Sequence, residues 1–174
     1  MSSLGNRVSS MFCVALFLSV PLLSQSTPAP DPAADGKVSE LERSFFGLIR
    51  DADALKFLSY VPEDGVNLGR QAQHTTRAEV EQQLTTKSGL YCKLFDSACL
   101  QATNKAAASA QACSYRELLT QSEKVRLAST ETTRNNVRQA ILVAQVQNDK
   151  CGGAVLIDFI FNRHHDGWKL FSVP

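Results

Sequence analysis

Asp158 is the least expected residue of the chain, because it interrupts the apolar run Ala154-Val155-Leu156-Ile157-Asp158-Phe159-Ile160-Phe161. An unpaired carboxylate taken out of water costs several kcal/mol. Asp158 must therefore find a partner, line a pocket or reach solvent. Strand alternation puts it on the face of Leu156 and Ile160. The alternative to a pocket is a structural position, hydrogen-bonded or at a rim. Tyr60, Tyr91 and Tyr115 each offer a phenolic donor at the edge of a core. Of these, Tyr91 adjoins Cys92 in the densest apolar helical stretch and is the one expected to face a cavity. His74, in the polar stretch Gln71-Ala72-Gln73-His74-Thr75, is a pocket acid or a surface residue. The pair His164 and His165 sits beside Asp166-Gly167 and reads as a solvated turn with no third ligand, so no metal is expected there. The chain holds no G-x-S-x-G, H-E-x-x-H, G-x-x-x-x-G-K-[ST] or C-x-x-C pattern, and no cofactor is implied.

The cysteines carry a different chemistry. Cys13 lies in an N-terminal apolar run, and four others remain: Cys92, Cys99, Cys113 and Cys151. An even set in an exported chain reads as two disulfides, with three connectivities open. The pairing expected here is Cys99–Cys113, closing the alanine-rich segment between them, and Cys92–Cys151, tying helices to strands.

Export itself is read from the N-terminus. Arg7 is followed by the apolar run Met11 to Leu23, broken only by Ser19 and Pro21, and then by Ser24-Gln25-Ser26. This is the three-part pattern of a secretory signal, too short to span a bilayer, with cleavage expected after Ser26. Removing 26 of the 174 residues leaves 148, one domain by size. The 18 basic and 17 acidic residues become 17 of each once Arg7 departs. A balance near zero argues against nucleic acid or an anionic membrane as partner. The expected location is periplasmic or extracellular.

Elements that would position these residues follow from spacing. Residues 27–36 (TPAPDPAADG) read as a flexible linker. Ser39 with Glu42 makes a capping-box pattern, followed by Val38, Leu41, Phe45, Leu48 and Ile49 at helical spacing. A second helix is expected over 53–60, ended by Pro62 and Gly65, then a short strand at Val66 to Gly69. Thr76 with Glu79 opens a helix through Leu84, residues 90–99 form a buried helical turn, and Ser114 with Glu117 opens another helix. From Val125 onward the period changes to alternation. Four strands are expected over 125–133, 137–147, 154–163 and 168–173, joined by hairpin-length turns. The fold class is α+β: helices packed on a curved four- to five-stranded antiparallel sheet, in a single domain over 37–174.

Helices first, one early strand, a further helix, and a long meander closing on Asp166-Gly167-Trp168-Lys169-Leu170-Phe171 is an order that resembles the nuclear transport factor 2-like superfamily. That resemblance implies a cone-shaped cavity and, in many members, a dimer built on the sheet's outer face. Two functions follow from it. One is an exported, non-catalytic domain that binds a small apolar molecule or a protein. The alternative is a pocket enzyme of isomerase, dehydratase or cyclase type using Asp158 with Tyr91 or His74, with Tyr60 a further pocket candidate. Because the strand from Ala154 to Phe161 is apolar on both faces, self-association is expected, with Phe159 or Phe161 at its centre.

Overall fold

The computed structural model of the chain describes residues 32–103 and 112–174, and the side chains of its first helix from Val38 onward. Residues 1–26, read as a signal, residues 27–31 of the expected linker and residues 104–111 of the alanine-rich segment lie outside the described residues.

Helix α1 spans Pro32–Asp51, and its Val38, Leu41, Phe45, Leu48 and Ile49 are all buried, as their three- and four-residue steps require. Its start differs from the expected cap. Proline is favoured in a first helical turn and Ala33-Ala34 are strong helix formers, so the helix takes in residues 32–36 and Ser39 lies well inside it. Asp53 caps α2 (Ala54–Tyr60), its Oδ1 accepting the Lys56 amide at 2.9 Å.

Strand β1 (Val66–Leu68) pairs antiparallel with β2 (Gln73–Thr75). Gly65 leads into β1 with φ +96°, and a Cβ there would lie 2.2 Å from the Thr75 carbonyl oxygen, so only glycine fits. Thr76 then caps α3 (Arg77–Thr85) with a full capping box: Glu79 Oε2 accepts the Thr76 amide at 2.8 Å, and Thr76 Oγ1 accepts the Glu79 amide at 3.3 Å. The Thr76 amide and the Thr76 hydroxyl, both donating to Glu79 Oε2 at 2.8 Å, hold the Glu79 carboxyl below its usual range. Three short helices follow, α4 (Leu90–Phe95), α5 (Ser97–Thr103) and α6 (Tyr115–Gln121). The last is capped by Ser114.

The meander consists of β3 (Lys124–Arg134), β4 (Val137–Asn148), β5 (Gly153–His164) and β6 (Gly167–Val173). Strand order is β2-β1-β6-β5-β4-β3, with β1 parallel to β6 and every other pair antiparallel. The sheet is thus six-stranded and mixed, not a four- to five-stranded antiparallel one. The extra strand is β2, whose Gln73-His74-Thr75 carries no apolar alternation to announce it.

One face of the sheet meets the helices. Leu142, Ile157, Phe159, Phe161 and Leu170 are buried on it, and Phe45 of α1 reaches between them, with ring centroids 4.9 Å from Phe159, 4.8 Å from Phe161 and 5.8 Å from Phe57. The edge-to-face arrangements with Phe159 and Phe161 suit the ring quadrupoles. This corrects the expected interface: Phe159 and Phe161, both 0% exposed, are core residues under α1. Among the described residues, nothing covers the other face.

Among the described residues two disulfides form, but their pairing is Cys92–Cys99 and Cys113–Cys151, not the expected Cys99–Cys113 and Cys92–Cys151. The break between α4 and α5 at Asp96 turns Cys99 back onto Cys92, with Cα atoms 5.2 Å apart. That leaves Cys113 to join the β4–β5 turn. No described helix is long and apolar enough to cross a membrane.

Candidate functional site

Alternation on β3, β4 and β5 builds the uncovered face row by row. Arg126, Gln145 and Leu156 stand side by side, then Ala128, Val143 and Asp158, then Thr130, Ile141 and Ile160. Leu156 is 60% exposed, the most exposed large apolar side chain of the sheet. Val143, Ile141 and Ile160 are half-buried around it, while Arg126, Gln145 and Asp158 are exposed. Lys124, Arg126, Gln145, Ala154 and Leu156 border a shallow depression of about 330 Å³ at one end. At the far side, the register of β5 against β6 shifts between Ile160 and Phe161. Phe171 is left as the extra residue of a bulge, 42% exposed.

Asp158 resolves its burial cost by reaching solvent on this face. Its charge is still felt by Tyr115, whose ring packs on the neighbouring Phe159 with centroids 5.7 Å apart. Burial, and secondarily the Asp158 charge, raise the Tyr115 hydroxyl above its usual pKa, and that hydroxyl donates to the Pro174 carbonyl oxygen at 2.9 Å. Neither Arg126 nor Asp158 makes a salt bridge among the described residues.

The four pocket candidates do not converge. Tyr60 lines a cleft of about 490 Å³ between α1, α2 and the β5–β6 hairpin, with Ser44, Arg163, Trp168 and Lys169. There the Tyr60 hydroxyl donates to Ser44 Oγ at 3.4 Å and the Arg163 guanidinium lies over the Trp168 ring at 5.4 Å. Tyr91 borders a different cleft, of about 550 Å³, with Asp96, Ser97 and Glu117. His74 is exposed on β2, opposite Asn67, and Asp158 points away from the helices that carry both tyrosines. His164 and His165 are exposed at the hairpin, as expected of a solvated turn.

The Tyr60 cleft carries a pH-sensitive contact. Lys169 Nζ lies 3.0 Å from Asp166 Oδ2, and its hydrogen bond is the main cause holding the Asp166 carboxyl below its usual range. The folded carboxylate is a weaker base than the unfolded one. The pair therefore adds stability at pH above the ordinary value of 3.8 and loses it as pH falls through the lower folded value. Asp166→Asn is expected to melt slightly below wild type at neutral pH and to converge with it in acid. Melts that stay equally separated down to full protonation would contradict this assignment.

Comparison of the chain with family models, with curated proteins and with solved structures gives no match. Sequence reasoning singled out Asp158 but missed Leu156 and Arg126. Their signal was available in the alternation of β3 and β5, once it is known which face of β5 the aromatic face of α1 covers.

Proposed function

We propose that the chain is an exported, non-catalytic interaction domain that self-associates through the uncovered face of its sheet. The observation that carries this is Leu156, 60% exposed on the face it shares with Val143, Ile141 and Ile160, while the helix-facing side is filled by the phenylalanine cluster. Exposed apolar surface of this kind, interrupted by Asp158 and bordered by Lys124, Arg126, Gln145 and Thr130, marks a protein contact more often than a bare monomer surface. Two disulfides and the signal pattern at residues 1–26 support export. Helices followed by a meander support the cone-like nuclear transport factor 2-like reading, although fold alone assigns no activity.

The occupant is a second copy of the chain. Arg126 and Asp158 sit two strands apart and one row apart, with opposite unpaired charges. A two-fold axis lying in the face and crossing β4 between Gln145 and Val143 brings each against its opposite on the second copy, making two equivalent ion pairs around an apolar centre. Reversing one charge tests this. Arg126→Asp or Asp158→Arg alone is expected to weaken dimerisation at least tenfold, and the double reversal to recover most of it. Single reversals without effect, or a double variant no better than either, would leave a small apolar ligand or a different protein as the occupant.

A further inference from the structure

The disulfide between Cys113 and Cys151 has a carboxylate beside it. One oxygen of Glu117 and the two Sγ atoms all lie within 4.8 Å of one another, and all three residues are half-buried. Ser97 holds the Glu117 carboxylate, and Ser114 holds its backbone. Ser97 Oγ donates to Glu117 Oε2, and the Glu117 amide donates to Ser114 Oγ at 3.3 Å. Ser114 is itself buried, and its amide donates to Ser97 Oγ at 2.8 Å. A carboxylate oriented by a hydroxyl is the outer-shell arrangement that metal-ligating acids commonly have. The other disulfide, Cys92–Cys99, has no third donor of this kind within the same distance among the described residues.

We propose that the reduced protein binds a divalent ion of the zinc type through Cys113, Cys151 and Glu117, so that this pair alternates between a disulfide and a metal bridge. Two thiolates and one carboxylate are a donor set suited to zinc, with the fourth tetrahedral position taken by water. Thiolates on one zinc sit about 3.7 Å apart, given Zn–S bonds of about 2.3 Å. Side-chain rotation supplies that opening with the Cα atoms left at 5.7 Å. The chemistry balances with a small-molecule thiol as reductant. Two equivalents break the S–S bond, two electrons and two protons pass to the protein sulfurs, and the reductant leaves as its own disulfide. Zinc then displaces the two thiol protons. Disulfide and metal exclude each other because each uses both sulfurs, yet either one ties α6 to the β4–β5 turn.

The test uses the full chain, oxidised and fully reduced, titrated with Co²⁺ and then Zn²⁺. The reduced protein is expected to take up one ion, to develop a thiolate-to-cobalt charge-transfer band with tetrahedral d–d absorption, and to melt at a higher temperature with zinc than without it. The oxidised protein is expected to show neither spectrum nor shift. Cys13→Ser combined with Cys92→Ser and Cys99→Ser should keep the site. Glu117→Gln, whose disulfides can still form and whose fold can be checked by circular dichroism before reduction, should weaken zinc binding at least tenfold. Equal binding by oxidised and reduced protein, unchanged affinity in Glu117→Gln, loss of the site in the Cys13, Cys92 and Cys99 variant, or no uptake on reduction would each overturn the proposal.

Discussion

Phe45→Ala is expected to lower unfolding stability by about 3–5 kcal/mol, the range for emptying a buried phenylalanine site. Phe45 is 0% exposed and meets five other rings, those of Phe46, Phe57, Tyr60, Phe159 and Phe161. Those rings belong to α1, α2 and β5, so a cavity there cannot close by moving one side chain. A typical domain is stable by only about 5–15 kcal/mol, and the variant would sit close to its folding threshold. Urea denaturation should show a large drop in midpoint with the slope unchanged. A loss below about 1 kcal/mol would mean that the ring is not packed between helix and sheet. Phe159→Glu should prevent folding altogether, because it puts a carboxylate in an apolar core against Leu142 and the rings of Phe45, Phe46 and Tyr115.

The second large effect concerns the disulfides. Cys113 and Cys151 are 38 residues apart in sequence, while Cys92 and Cys99 are only 7 apart. Closing the longer loop removes more freedom from the unfolded chain, worth about 4 kcal/mol against about 2.5 kcal/mol for the shorter. The longer bridge also fixes α6, whose Leu118 and Leu119 are buried. Replacing Cys113 and Cys151 by serine should therefore cost more than replacing Cys92 and Cys99, measured by denaturation of the oxidised variants in metal-free buffer. The opposite order would contradict the pairing, as would peptide mapping that recovers Cys99 joined to Cys113.

Much of the fold was legible because local signals agreed with one another. The Thr76 and Ser114 caps, the helical spacing of Val38 to Ile49, and the change to alternation after Val125 each specify an element that the structure contains. Ser39 and Glu42 imitate a cap, but a capping pattern cannot show whether the residues before it are already helical, and here they are. Strand β2 was hidden because a three-residue strand, exposed at Gln73 and His74, has no periodicity to read. The disulfide pairing depends on how α4 turns into α5, a tertiary fact that loop length does not contain.

The face assignment of β5 is the instructive case. Val155, Ile157, Phe159 and Phe161 alternate with Leu156 and Ile160, and both sets are apolar, so the sequence alone does not choose which one meets the helices. Asp158 was the available clue. It belongs to the set with Leu156 and Ile160, and a carboxylate belongs on the wetter face, which the structure confirms by leaving it exposed. That Tyr60, Tyr91, His74 and Asp158 stand apart was not legible, since no motif records the packing that separates them.

Sedimentation velocity of the chain lacking residues 1–26, and of its Leu156→Glu variant, over micromolar to high micromolar concentration decides whether the open sheet face is the interface. The wild type is expected to shift from monomer to dimer across this range, and Leu156→Glu to remain a monomer with an unchanged circular dichroism spectrum and melting temperature, because the replaced side chain already faces solvent. A wild-type chain that stays monomeric at the highest concentration, or a Leu156→Glu variant that dimerises as well as the wild type, would contradict the assignment of the open sheet face as the binding surface.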